Sequence, residues 1–284
     1  MSYFRPTILE DALDWLSTHD ARIVAGSTDL FPSTDRQTLD GHILDITAIE
    51  ELRELMQTDK GWSIGAATTW SDIISSDLPP AFDGLKLAAR EVGSIQIQNA
   101  GTVAGNICNA SPAADGIPCL LSLDSSVELI SVRGRRSVPL ASFIAGPRKT
   151  TIASDEIVTR IIAPQASCQG TSHFLKLGAR KYLIISIAMV ATRLLVEDGI
   201  IAQAAISVGA CTPVAVRLPE AETALVGKPA IPSSIASISD PMIQNALLPI
   251  DDIRATGEYR SMATAELVRR SLNRLVAKSL EAAA

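Results

Sequence analysis

The sequence predicts an α+β protein of two domains, the second smaller and built from an antiparallel sheet and helices. Three observations carry that expectation. Up to about residue 92, strand-like apolar runs alternate with amphipathic helical stretches. From Val127 to Ala210 the texture turns to β and includes an Asp198-Gly199 hairpin signal. After Pro213 helical spacing returns. At 284 residues, 47% hydrophobic and 20% charged, the chain has the composition of a globular protein with one large core or two smaller ones.

Taken in order, Thr7-Ile8-Leu9-Glu10 has the form of a capping box and predicts a helix start, with Leu9, Ala12, Leu13 and Leu16 on one apolar face. Residues 22–25 and 42–46 read as strands, 49–55 as a short helix and 62–66 as a further strand. Leu85, Ala88, Ala89 and Val92 keep helical spacing, and a glycine-rich segment expected to be an irregular loop follows. Residues 127–132, 157–162 and 173–177 read as strands. The longest apolar stretch, 182–196, is interrupted by Arg193, is too short for a bilayer span, and reads as buried strands. Val268, Leu272, Leu275 and Leu280 line one face of a C-terminal helix. Small and polar residues at 164–171 mark a boundary. The expected domains are 1–168, with lobes of about 1–55 and 56–168, and 169–284.

Charge and motifs remove several function classes. Net charge is −6, pI is about 5.2 and there is no basic run, so nucleic acid is not an expected partner. The N-terminus lacks the pattern of a signal peptide, which makes the cytoplasm the expected location. Cys108, Cys119, Cys168 and Cys211 are scattered and have no metal-ligand spacing, so any iron–sulfur chemistry belongs to another subunit. No G-x-S-x-G elbow, H-E-x-x-H helix or paired carboxylates are present, and there are only three histidines. No catalytic side chain is therefore expected.

Two small-residue segments remain: Val24-Ala25-Gly26-Ser27-Thr28-Asp29-Leu30 and Gly101-Thr102-Val103-Ala104-Gly105-Asn106-Ile107. Neither is a Rossmann or Walker motif. Both let the main chain approach an anion closely and aim N–H groups at it, although either alone also fits an ordinary loop. Asp115 suits the hydroxyls of a ribose or ribityl chain, or a turn or helix cap. Lys176 faces either a ligand or water, and Arg148-Lys149 either a phosphate or solvent.

The order of these pieces resembles the FAD-binding subunit of the xanthine dehydrogenase and carbon monoxide dehydrogenase family of molybdenum hydroxylases. The likeness runs through residues 25–30, 96–107, 111–115, 146–150, 155–157, 174–176, 180–189, 208–215 and 252–260. It implies a two-lobed FAD-binding domain of the PCMH-like type, followed by a smaller α+β C-terminal domain. By the same resemblance, Ile23, Val24, Ala25, Gly26, Ser27, Thr28, Asp29 and Leu30, with Thr102, Val103, Ala104, Gly105 and Asn106, would wrap the FAD pyrophosphate and flavin edge. Asp115 would meet the cofactor's sugar region, while Val158 and Lys176 would lie near the flavin. Implied partners are a large molybdopterin-binding subunit and a small [2Fe–2S] subunit, in a dimer of heterotrimers. Electrons would pass from the clusters through FAD to an acceptor such as NAD or oxygen.

Three positions depart from the family pattern: Ser27 and Ala104 stand where glycine is usual, and Pro147 where tyrosine is frequent. A Cβ at a positive φ would cost on the order of 1–2 kcal/mol. Two other readings stay open at this level: a self-contained FAD oxidoreductase with its own substrate, and a scaffold subunit that has lost flavin.

Overall fold

The computed structural model describes residues 2–35, 39–181 and 183–283. It begins with β1 (Ser2–Phe4), α1 (Leu9–Thr18), β2 (Ala21–Val24) and β3 (His42–Asp45). The strands pair in the order β1-β3-β2, all parallel, and α1 forms the crossover between β1 and β2. Leu9, Ala12 and Leu16 are its buried stripe. The helix starts at Leu9 with Ile8 at the cap and no side-chain cap bond, so the expected Thr7–Glu10 box does not form. With Ile8 as cap, Glu10 is the second helical residue, out of register for a box, though it still favours the positive helix end.

The chain continues with β4 (Leu55–Thr58), β5 (Gly61–Gly65), α2 (Trp70–Ser75), α3 (Asp83–Glu91), α4 (Ile95–Ala100), α5 (Val103–Asn109) and α6 (Gly116–Ser122). It continues through β6 (Ser126–Ser131), β7 (Gly134–Pro139), α7 (Leu140–Phe143), β8 (Ile144–Gly146), β9 (Lys149–Thr150) and β10 (Ile157–Pro164). An antiparallel sheet runs β4-β5-β10-β6-β7. The helix expected at 49–55 is a single 3-10 turn, Glu50–Arg53. A capping box does form at α2, where Thr69 and Asp72 exchange side-chain and backbone bonds of 3.1 and 2.9 Å.

The larger correction concerns residues 101–107. Instead of an irregular loop, two short helices meet across Gly101-Thr102. Thr102 caps α5, its Oγ1 accepting the Gly105 N–H at 2.9 Å, so Ala104 and Gly105 take helical backbone despite their loop-like composition.

The last part comprises β11 (Thr171–Leu177), β12 (Ala188–Glu197), β13 (Ile200–Gly209), β14 (Val216–Arg217), α8 (Pro219–Leu225), α9 (Pro232–Ala236), α10 (Asp240–Gln244) and α11 (Gly257–Ala283). Its sheet runs β11-β12-β13-β14, antiparallel. Asp198 and Gly199 have φ of 49° and 75°, the pair of positive values that the hairpin signal requires. Of the apolar stretch 182–196, only the part from Ala188 is strand; Tyr182 lies outside the described residues.

β12 is buried on both faces. Ala188, Val190 and Leu194 enter the core beneath α11, whereas Met189 and Ala191 enter the larger core that runs from α1 through β10. Arg193, 2% exposed, follows the latter face and donates from Nε to the Ser122 carbonyl at 2.9 Å, which is how a charge sits in this run. On α11, Val268, Leu272 and Leu275 are buried as expected. Leu280 is not: it is 48% exposed, and the buried stripe ends at Val276.

Candidate functional site

A cleft of about 1230 Å³ opens where the first glycine turn, the α4–α5 junction and the lead-in to β12 converge. The first turn continues β2, and Ile23, Val24, Ala25, Gly26, Ser27, Thr28, Asp29 and Leu30 all line the cleft. Gly26 brings the two sequence-distant segments together. A Cβ built there would lie 1.8 Å from the Ala100 oxygen and 2.8 Å from the Gly101 Cα, so only glycine permits this approach. The second segment is fixed in turn: Trp70 N–H donates to Gly101 O at 3.1 Å and Val103 N–H to Thr68 O at 3.0 Å.

Ser27 and Ala104 separate at this point. Ser27 has φ of 54°, the left-handed conformation that a side chain disfavours. Ala104 is helical, with its methyl buried. From α5, Thr102, Gly105 and Asn106 line the cleft, whereas Val103 and Ala104 face the core. Asn106 Oδ1 is buried without a hydrogen-bond partner, an unmet acceptor on the cleft wall.

Asp115 and Lys176 also line the cleft and form a buried pair, Nζ to Oδ2 at 2.6 Å, with side chains 7% and 8% exposed. Ser186 donates to the other carboxylate oxygen at 2.7 Å. The Asp115 side chain therefore does not cap α6, and Lys176, on the cleft wall, is paired with Asp115 rather than turned to bulk water. Burial pushes the Asp115 carboxyl above its ordinary pKa, and the Lys176 charge opposes that shift. Each oxygen retains a lone pair for a hydroxyl. Val158 does not line the cleft: it is buried in β10 opposite Leu129.

The sequence analysis did not place Trp70, residues 91–93 or the apolar rim of Leu183, Ile184 and Ile185 at the site. Trp70 fills the space that Gly116 leaves, where a Cβ would fall 2.5 Å from its ring. Such contacts join residues far apart in sequence and have no local signal. Arg148 had one, its Gly-Pro-flanked turn: it lies on the cleft wall with φ of 58° and bonds Asn109 Oδ1 through its guanidinium. Cleft charges balance, with Arg22, Arg148 and Lys176 against Asp29, Glu91 and Asp115. Among the described residues no histidine or tyrosine lines the cleft, and no group of three His, Cys, Asp or Glu could hold a metal.

Comparison with known proteins matches residues 1–166 to the model of the FAD binding domain in molybdopterin dehydrogenase, and residues 173–275 to the CO dehydrogenase flavoprotein C-terminal domain. The nicotinate dehydrogenase FAD-subunit of Eubacterium barkeri is 33% identical, over 80% of each chain. The xanthine dehydrogenase FAD-binding subunit of Escherichia coli O157:H7 is 30% identical, over 97% of this chain and 96% of that one. Among solved structures, reconstituted CO dehydrogenase from Oligotropha carboxidovorans superimposes with a TM-score of 0.89 at 26% identity, covering 98% of both chains.

Proposed function

As this chain belongs to the family of FAD-binding subunits of molybdenum hydroxylases such as the xanthine and carbon monoxide dehydrogenases, we propose that it carries electrons, through FAD held in the cleft, from a [2Fe–2S] partner chain to a final acceptor such as NAD or oxygen. FAD supplies the exchange between single electrons and electron pairs, and the protein supplies position and electrostatics. The observation that carries this reading is the Gly26 contact with Ala100 and Gly101, which makes one binding wall of two small-residue segments.

The residues present suit such a ligand. The turn 23–30 would offer main-chain donors to the pyrophosphate, with Thr102 and Gly105 also lining the wall, in keeping with a cleft that has no excess of positive side chains. Asn106 Oδ1 would accept a ligand hydrogen bond that the protein leaves unmet. Asp115, held by Lys176 and Ser186, would receive a hydroxyl of the sugar or ribityl chain. Leu183 and Ile185, 58% and 51% exposed, would exclude water from the ring system.

The wider reading is a complex with a large molybdopterin subunit and a small [2Fe–2S] subunit, as a dimer of heterotrimers in the cytoplasm. Support comes from relatives named as medium chains or subunits, such as the nicotine 6-hydroxylase medium subunit of Paenarthrobacter nicotinovorans. Two units meeting at residues 164–171 are part of the same reading, supported by a short 3-10 turn, Gln165–Cys168, between β10 and β11. A self-contained oxidoreductase would need a free acid or base beside the flavin; the described lining offers no histidine or tyrosine, its Asp115 and Lys176 are engaged with each other, and Asp29 and Glu91 are its remaining carboxylates. A flavin absorption spectrum of the protein purified with its partners, and FAD released on denaturation, test the assignment. No bound flavin, even after FAD is supplied, would overturn it and leave the scaffold reading.

A further inference from the structure

The second large hollow, about 990 Å³, lies between α3 and α11 and shares no lining residue with the cleft. Lys86 and Arg90 project into it from α3. On α11, Arg270, Arg274 and Lys278 follow one another at steps of four, so their cationic ends form a row on one helix face, about 12 Å long from the helical rise. Five cations thus face only Asp83 and Glu281, in a chain whose net charge is −6.

Internal contacts use part of this charge. Lys278 pairs with Asp83 at 2.9 Å, Arg270 with Glu266 at 2.7 Å, and Lys86 donates to the Ser76 carbonyl. Arg90 and Arg274, both exposed, have no side-chain hydrogen bond or ion pair among the described residues. Half-buried His173 of β11 also lines the groove. Its Nδ1 meets Ser271 Oγ at 3.2 Å, and Ser271 in turn meets Thr192 Oγ1 at 2.7 Å, which anchors the ring from below. Burial first, then the charges of Arg274 and Lys278, hold His173 below its ordinary pKa, while Asp83 opposes them.

The groove and the flavin cleft share α3 as a wall. Arg90 lines the groove, and the next residues, Glu91, Val92 and Gly93, line the cleft. An occupant of the groove would lie one helix away from the cofactor site.

We infer that the α3–α11 groove docks an extended segment rich in Asp and Glu, carried by the partner chain that delivers electrons to this subunit. Two unpaired guanidinium groups offer forked donors to successive carboxylates. The row of charge suits an extended chain, and among the described residues the groove has no Phe, Tyr or Trp to stack a nucleotide base, its one ring being the half-buried His173. The partner's identity rests on the subunit reading above; the groove's preference for an acidic peptide does not.

A fluorescent octaglutamate peptide tests the groove by anisotropy on the intact chain. The expected result is salt-sensitive binding, weakened at least tenfold in Arg90→Glu/Arg274→Glu and little changed in Arg53→Glu/Lys60→Glu, which alters net charge equally on exposed residues outside the groove. Binding should also tighten as pH falls through the His173 titration, since a bound carboxylate favours the charged ring. Equal weakening in both variants would overturn the groove, as would tripolyphosphate binding that the peptide cannot displace. Copurification with the partner chains then tests the partner. Loss of copurification in Arg90→Glu/Arg274→Glu with flavin retained supports the assignment, and unaltered assembly with unaltered flavin reduction overturns it. Missing flavin in the unsubstituted protein would tell against the cofactor reading, while the peptide result still decides the groove.

Discussion

Ser27 and Ala104 both occupy positions where the resembled family has glycine, yet their backbones impose opposite demands. At Ser27 the left-handed φ of 54° carries a side-chain penalty of about 1–2 kcal/mol, part of which glycine returns as flexibility of the unfolded chain. Ser27→Gly should therefore raise stability by up to about 1 kcal/mol, and Ala104→Gly, within a helix, should lower it by about 1 kcal/mol, as urea denaturation would read. Gly26→Ala is expected to force α4 away from the turn, lower stability by about 1–3 kcal/mol and release flavin, measured as the flavin-to-protein absorbance ratio. Lys176→Met leaves the Asp115 carboxylate buried with only Ser186 as donor. A loss of about 3–5 kcal/mol in denaturant unfolding is expected. The sequence singled out Asp115 and Lys176 separately, but their pairing joins residues 61 positions apart and no local pattern encodes it.

Elements with one clean apolar face were legible, and those defined by pairing or caps were not. α3 buries Leu85, Ala88 and Ala89 as its spacing predicts. β7 gave no signal because its residues are nearly all exposed: it is an edge strand held by β6, without an alternating face of its own. A two-pronged ion pair also ties β7 to the chain before β10, Arg136 Nε to Glu156 Oε1 at 2.6 Å and Nη2 to Oε2 at 2.7 Å. Arg136 holds the buried Glu156 carboxyl below its ordinary pKa. A depressed folded-state value means that this contribution is complete above the unfolded value of about 4.3 and fades as pH falls through the lower folded one. Arg136→Met should flatten the loss of stability between about pH 5 and pH 3, measured by urea unfolding across that range.

For the whole molecule, the α+β class and the family were legible because many short motifs recur in order along nearly all of the chain. The cleft itself was only half legible, since it exists through contacts such as Gly26 with Ala100 that no sequence window contains. Ligand linkage gives a test at this scale: FAD at a hundredfold excess over its dissociation constant should stabilise the folded chain by about 2.7 kcal/mol, seen as a higher thermal midpoint. β12 bears on what such a melt looks like. It furnishes side chains to both cores, Met189 and Ala191 to one and Val190 and Leu194 to the other. Neither half has a finished hydrophobic interior without that strand. Calorimetry should accordingly record one endotherm rather than two, and a chain cut near residue 170 should yield fragments that aggregate separately and regain solubility only when refolded together. The strand makes the two halves a single inheritance, which recombination between relatives can exchange whole but not in parts.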